Sequence, residues 1–160
     1  MPRKGRCLNY YIAGFVDGEG SFSVSIKKHP TAKFGWVLDP VFQVYQHKKD
    51  IEVLEIIKRR FQTGYIKPKS PTSNVMVYIV SNRLSLKEKI IPFFEKYRLL
   101  TSKWEDFQIF REIIFRMEAK EHWKKEGLIN LIKLAGKMNR NGKQRKYDIK
   151  RVIKEIEEKR

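Results

Sequence analysis

A single cysteine, Cys7, stands in 160 residues. It excludes an internal disulfide and a cysteine-built zinc site. Histidine is nearly as scarce: His29, His47 and His122 are scattered and spell out no metal-ligand constellation. No apolar run reaches the ~18 residues that a bilayer-spanning helix needs. The basic start Met1-Pro2-Arg3-Lys4-Gly5-Arg6 has no signal-peptide apolar region after it. The expectation is an intracellular protein, in the cytoplasm, nucleoid or an organelle, and not a secreted one. A Gly-rich phosphate loop, a long-range repeat and a low-complexity linker are all missing. Acid is the scarcest charge: 18 Asp and Glu face 35 Lys and Arg, for a net +17. Solvated helix faces usually balance Lys with Glu, so this excess points to a polyanion, above all nucleic acid. A basic membrane-surface protein is the rival, but no apolar anchoring stripe accompanies the charge.

What is present is enough apolar material, 41% of the chain, to bury the core of one domain spanning residues 1–160. Asn9 is placed to cap a helix from about Tyr10 to Gly18. Two alternating segments, Ser21–Lys28 and Trp36–Gln46, read as strands. Asp50 then caps a helix carrying Ile51, Leu54, Ile57 and Phe61, which Gly64 ends. Shorter strands are expected near Tyr65–Lys69 and Val75–Ser81. Ser85 starts a helix that Pro92 enters or bends. A long amphipathic helix opens at Thr101 or Ser102. Helical stretches follow at Trp123–Met138 and Asp148–Glu158, with Asn141-Gly142 as the break. This order suits four strands in one sheet with helices on its other face, an α+β domain. Its core runs from about 8 to 118, with a helical extension from about 119 to 160.

The period switches from helix to strand where two acids sit, in Tyr11-Ile12-Ala13-Gly14-Phe15-Val16-Asp17-Gly18-Glu19-Gly20. Gly14 and Gly18 are four apart with Ala13 beside them, a small-residue face that permits close backbone approach. The face packs either on the chain's own sheet or on a second copy. In the first strand Phe22, Val24 and Ile26 point one way, and Ser21, Ser23, Ser25 and Lys27 the other. In the second, Val37, Asp39, Val41, Gln43 and Tyr45 share a parity, and Gln43 places them on the polar side. Lys67 and Lys69 alternate after Tyr65. That face is either a solvated antiparallel face or a reader of the DNA major groove, where Gln suits adenine and Lys suits guanine. The charge favours the reader: Lys58, Arg59, Arg60, Lys67 and Lys69 are five bases with no acid between them. Its candidate contacts are Ser21, Ser23, Ser25, Lys27, Lys33, Asp39, Gln43, Tyr45, Tyr65, Lys67, Lys69 and Asn74.

Positions Ile12 to Gly20 closely resemble the signature of the LAGLIDADG homing endonucleases. Ala13, Gly14, Asp17 and Gly20 match it, and Glu19 replaces its second Asp. The one near-copy, Leu134-Ala135-Gly136, is followed by Lys137 and Met138 instead of acids, so the motif occurs once. The resemblance implies an αββαββα fold with a four-stranded, antiparallel, saddle-like sheet. It implies a homodimer that makes metal-dependent double-strand breaks in a long, pseudo-palindromic DNA target, with no membrane and no small-molecule substrate. Glu19 and the carbonyl of Gly18 are the implied ligands of Mg²⁺, or of Mn²⁺ or Ca²⁺ in its place. Phe42-Gln43-Val44-Tyr45-Gln46 resembles the family's second-strand segment, in which Gln46 matches a group that orders water near the metal. Lys103 matches a lysine near the scissile phosphate and also reads as a solvated lysine at a helix start. Tyr10, Ala13, Gly14 and Asp17 are the expected dimer contacts, with Asp17 also placed to cap or position the helix ends. The alternative is a non-cleaving relative, an intron RNA maturase or a transcription regulator. A carboxylate aimed at phosphates, Glu19, favours cleavage, because a pure binder would only be repelled by it.

Overall fold

The computed structural model describes residues 2–139 and 145–160. The expected break at Asn141-Gly142 lies outside them. Helix α1 (Pro2–Glu19) leads into strands β1 (Gly20–Lys28) and β2 (Trp36–His47). A 3-10 turn, Lys48–Asp50, feeds α2 (Ile51–Phe61), then β3 (Tyr65–Pro68) and β4 (Val75–Val80). Helix α3 (Arg83–Ser85) continues through a π turn, Leu86–Ile90, into α4 (Ile91–Lys96). The chain ends with α5 (Lys103–Glu118), α6 (Lys125–Ala135) and α7 (Ile149–Glu158). The four strands form one antiparallel sheet in the order β1-β2-β4-β3. The pairing of β2 with β4 sets Gln43 opposite Ile79 and Tyr45 opposite Val77. That of β3 with β4 sets Tyr65 opposite Ile79 and Lys67 opposite Val77.

The chain packs as two compact units. One holds the chain up to Phe22 together with Val41–Trp104; the other holds Ser23–Pro40 with Glu105–Arg160. In the first, alternation sends Phe42, Val44, Tyr78 and Val80 to one side of the strands, where they are buried. Five phenylalanines knit this side to the helices. Phe22 lies 5.1 Å from Phe42 and 5.3 Å from Phe94, and Phe61 and Phe94 lie 5.0 and 4.9 Å from Phe93. Each such pair adds about 0.5–1.5 kcal/mol beyond area burial. In the second unit, Trp36 meets Tyr147 edge-on at 4.9 Å and donates its indole N–H to Glu155 at 3.1 Å. Burial alone would raise the Glu155 carboxyl. The charge of Lys28 and hydrogen bonds from Arg151, Trp36 and Lys28 outweigh it, and the pKa falls. The Arg145 guanidinium donates to the carbonyl of Val24 at 2.8 Å and to that of Ala135.

Several caps differ from expectation. Helix α1 runs two turns further back, so Asn9 is inside it and 9% exposed. It serves as a buried bridge: its amide donates to the Tyr97 hydroxyl at 3.0 Å and accepts from Arg60 Nε at 2.6 Å. The Asp50 side chain makes no cap hydrogen bond; His47 caps the 3-10 turn ahead of it, accepting from the Lys49 N–H. Helix α2 ends on Gln62 in the left-handed region, two residues before Gly64. Asn82, not Ser85, caps α3 by accepting from the Ser85 N–H at 2.9 Å. The π turn stands directly before Pro92. Proline has no N–H and its ring collides with the carbonyl four residues back, and the wider turn removes that collision. Asp148 caps α7 as its position predicts.

Gly20 joins α1 to β1 where a side chain has no room. A Cβ there would lie 2.5 Å from Val16 Cγ1 and 2.7 Å from the Val16 carbonyl oxygen. Val16 is fully buried and cannot step aside. Gly20→Ala is expected to cost about 1–3 kcal/mol, the range for overpacking. Denaturant unfolding measures it, and an unchanged midpoint would show that the junction relaxes freely.

Candidate active site and nucleic-acid interface

Helix α1 ends on its acids, and the loop before α5 is tied to that end. The Asp17 carboxylate accepts from the N–H of Leu100 at 2.7 Å and that of Thr101 at 3.2 Å, and from the Thr101 hydroxyl. Asp17 therefore ties the end of α1 to the loop before α5 in its own chain, the positioning role expected of it. Thr101 in turn brings Lys103 to the helix. The Lys103 ammonium donates to the carbonyls of Val16 and Asp17, both at 2.9 Å. A cation on the last carbonyls complements the negative end of the helix dipole. Lys103 is half-buried and engaged, so it is not a solvated lysine.

Gly18 and Glu19 remain exposed at the same helix end. Among the described residues the Glu19 side chain makes no hydrogen bond or ion pair. Gln46 shares the side of Phe42 and Val44 and lies opposite Met76. Its side chain accepts from the His47 N–H at 2.7 Å, and no hydrogen bond joins it to Glu19 among the described residues. No group of three or more His, Cys, Asp or Glu side chains converges there or elsewhere among the described residues. One chain thus offers one carboxylate and one adjacent backbone carbonyl. Both are hard oxygen donors, the type that Mg²⁺ and its relatives take. The rest of such an ion's shell is water or substrate oxygen.

The other side of the strands is polar, as the alternation predicts. Ser21, Ser23, Ser25, Asp39, Gln43 and Tyr45 are half-buried in one parity, while Lys27, Tyr65, Lys67 and Lys69 are exposed. These side chains are organised before any ligand arrives. Tyr45 donates to the Gln43 side-chain oxygen at 2.9 Å, and Lys69 lies 5.5 Å over the Tyr45 ring. Burial raises the Tyr45 pKa, so its hydroxyl keeps its proton. Lys27 and Asp39 pair with each other, cancelling one charge of each sign. Lys33 extends over the Phe34 ring in the β1–β2 loop, and Asn74 is exposed in the turn before β4. Val77 and Ile79 share this parity through their partners Tyr45, Lys67, Gln43 and Tyr65. They put an apolar strip between polar rows, and the continuous apolar run of β4 concealed it. Lys58, Arg59 and Arg60 stand on α2, in the helical layer, so the run of five bases divides between two sides.

The outward stripe of α1 differs from the expected set. Ala13 is 5% exposed and belongs to the chain's own core. Cys7, Tyr10, Tyr11, Gly14 and Gly18 are exposed. Cys7, Tyr11, Gly14 and Gly18 recur at helical spacing. Tyr10 and Tyr11 expose 58% and 51% of their surface. A Cβ built on Gly14 or Gly18 meets nothing within 4 Å.

Residues 12–114 match the model of the LAGLIDADG endonuclease family. The chain belongs to that family. Relatives agree over a wider span. The DNA endonuclease I-CeuI of Chlamydomonas moewusii is 38% identical over 125 residues, 76% of this chain. This chain spans only 57% of that protein's length. The archaeal intron-encoded homing endonuclease I-Vdi141I, solved in complex with DNA, superposes with a TM-score of 0.87 at 39% identity. That match covers 96% of each chain. The crystal structure of the homing endonuclease I-TnaI superposes at 0.80 with 36% identity, over 95% of this chain and 97% of that one. The LAGLIDADG chain described here thus has the four-stranded antiparallel sheet with helices that its motif implies. The superpositions reach beyond Ile114, where the match to the family model ends. The described residues also include no helix long and apolar enough to cross a membrane.

Proposed function

We propose that this chain is one subunit of a homodimeric, site-specific DNA endonuclease that cuts both strands of a pseudo-palindromic target with Mg²⁺. One observation carries the reading. The exposed α1 stripe is smallest at Gly14 and Gly18, where a Cβ would meet nothing within 4 Å, and it ends on a carboxylate that has no partner among the described residues. A helix that needs glycine against nothing in its own chain is suited to a second backbone. Two copies of α1 side by side bring two Glu19 residues to one place, one for each strand. Members of the family are metal-dependent. When bound, a hard divalent cation makes a water nucleophilic and neutralises charge on the leaving oxygen. Glu19 and the Gly18 carbonyl would hold it. Asp17 and Lys103 fix the end of α1, so that Glu19 starts from a set position. Gln46 sits at the end of β2 in reach of solvent and orders water there. The chain's positive charge draws the duplex in, and the polar side of the sheet reads it.

The direct test uses the full chain and a plasmid carrying the two sequences that flank its gene, joined to each other. One linear product with Mg²⁺, and none with EDTA, is expected. Tight binding of that plasmid without cutting, in Mg²⁺ and in Mn²⁺, would replace the nuclease with the non-cleaving reading. Tyr45→Phe tests the reading side. It frees the Gln43 side chain without removing it, so the base pair read by Gln43 should lose about 0.5–1.5 kcal/mol of preference, the worth of one hydrogen bond. Affinity for unrelated duplex should stay the same. Competition against single-base variants of the target measures both, and an equal loss on every sequence would make Tyr45 a purely structural residue.

A further inference from the structure

We propose that a second anion site, separate from the duplex-reading side, lies between α1, α2 and α4 and takes consecutive phosphates. A cavity of about 430 Å³ opens there, within the range of small-molecule sites and too large for a single inorganic ion. Three cations line it, Arg60, Lys89 and Lys96, against one acid, Glu88. Each cation is held by its surroundings. Arg60 Nε donates to the buried Asn9 side chain at 2.6 Å, and the guanidinium lies 5.2 Å over the Phe93 ring. Asn9 is locked in turn by the Tyr97 hydroxyl at 3.0 Å. Lys89 donates to the Gln62 carbonyl at 2.8 Å, and Lys96 lies 5.7 Å over the Tyr97 ring.

The arrangement suits oxyanions for a stated reason. Pinning a guanidinium through Nε and one ring face leaves its two terminal nitrogens as a fixed fork, the geometry that phosphate accepts in pairs. No carboxylate pairs with Arg60 among the described residues. Asn9 is the buried polar residue of the described core, and its side-chain oxygen aims this arginine while its amide nitrogen is held by Tyr97. Two ammonium groups beside the fork suit a chain of phosphates better than one. The site is also out of reach of the duplex. Phe61, in the cavity wall, packs on Phe42, whose ring points to the helices, whereas Gln43, Tyr45 and Lys67 have the opposite parity. The same chemistry comes from a nucleoside polyphosphate or from the backbone of a single-stranded nucleic acid.

Calorimetric titration of the full-length protein with ATP, AMP and a short oligouridylate, each with and without saturating target duplex, tests the proposal. ATP or the oligouridylate should bind whether or not duplex is present, and AMP should bind more weakly than ATP. ATP alone would name a free polyphosphate as the ligand, and the oligouridylate alone a single strand. Arg60→Gln should weaken binding at least tenfold, about 1.4 kcal/mol, and Lys67→Gln should not. Lys96→Gln, at an exposed site, should weaken it several-fold and guards against a folding defect in the Arg60 variant. Displacement of both probes by duplex, indifference to Arg60 and Lys96, or binding of none of the probes would overturn the site. Plasmid cleavage is read separately, so failure here leaves the nuclease assignment standing.

Discussion

Glu19→Gln should lower cleavage by roughly 10³-fold and leave target binding within a few-fold of the parent. Gln has nearly the same shape and keeps one oxygen, but it loses the charge that holds a divalent cation. Such a cation supplies several kcal/mol of transition-state stabilisation, and each 1.36 kcal/mol is tenfold in rate. The fold has no stake in this side chain, because it is exposed and makes no hydrogen bond or ion pair among the described residues. Affinity should hold or improve slightly, since a negative charge beside phosphates is removed. Single-turnover cleavage with saturating Mg²⁺, set beside a gel-shift titration in Ca²⁺, separates the two quantities. Cleavage at the parental rate would move the metal's carboxylate elsewhere in the chain.

Gly14→Leu should abolish double-strand cutting by a different route. Small residues let helix axes approach closely, and a leucine at the crossing pushes them apart. Overpacking costs about 1–3 kcal/mol per site, and a two-fold contact meets the substitution twice. At 1.4 kcal/mol per decade, dimer affinity falls about 30-fold to 10⁴-fold. The monomer should be untouched, because a Cβ on Gly14 meets nothing in its own chain. Light scattering should therefore report monomer where the parent is dimeric, and the unfolding midpoint should match the parent's at protein concentrations where the parent is itself monomeric. Gly14→Ala should fall between the two. A Gly14→Leu protein that still dimerises and still cuts both strands would remove α1 from the interface. A midpoint below the parent's even where both proteins are monomeric would mean instead that Gly14 packs within its own chain.

The local chemistry of this protein was open to reading without coordinates. The change of period at Asp17-Gly18-Glu19-Gly20 marked the junction between α1 and β1. Strict alternation in Ser21–Lys27 and Val37–Tyr45 separated core from polar side, because a strand has only two sides and the residue types took one each. Asp148 announced α7, and one copy of the motif announced the family. These features depend on residues a few positions apart, which is the range over which sequence pattern and backbone geometry are coupled.

Long-range pairing decided the rest. Asp17 finds its partners 83 and 84 residues away, and Asn9 finds Tyr97 at a separation of 88, so a motif acid became an anchor and a presumed cap became a bridge. Ala13 and Gly14 are equally small, and only the packing of α1 sent one to the core and left the other open. The run from Lys58 to Lys69 looked like one basic surface, yet α2 and β3 place its two halves on opposite sides of the sheet. The sequence by itself determined the elements, the polar side of the first two strands and the acid that ends α1. The tertiary structure decided which way each helix faces, because a helix can present any residue to solvent or to a neighbour and only contacts distant in the chain choose between them.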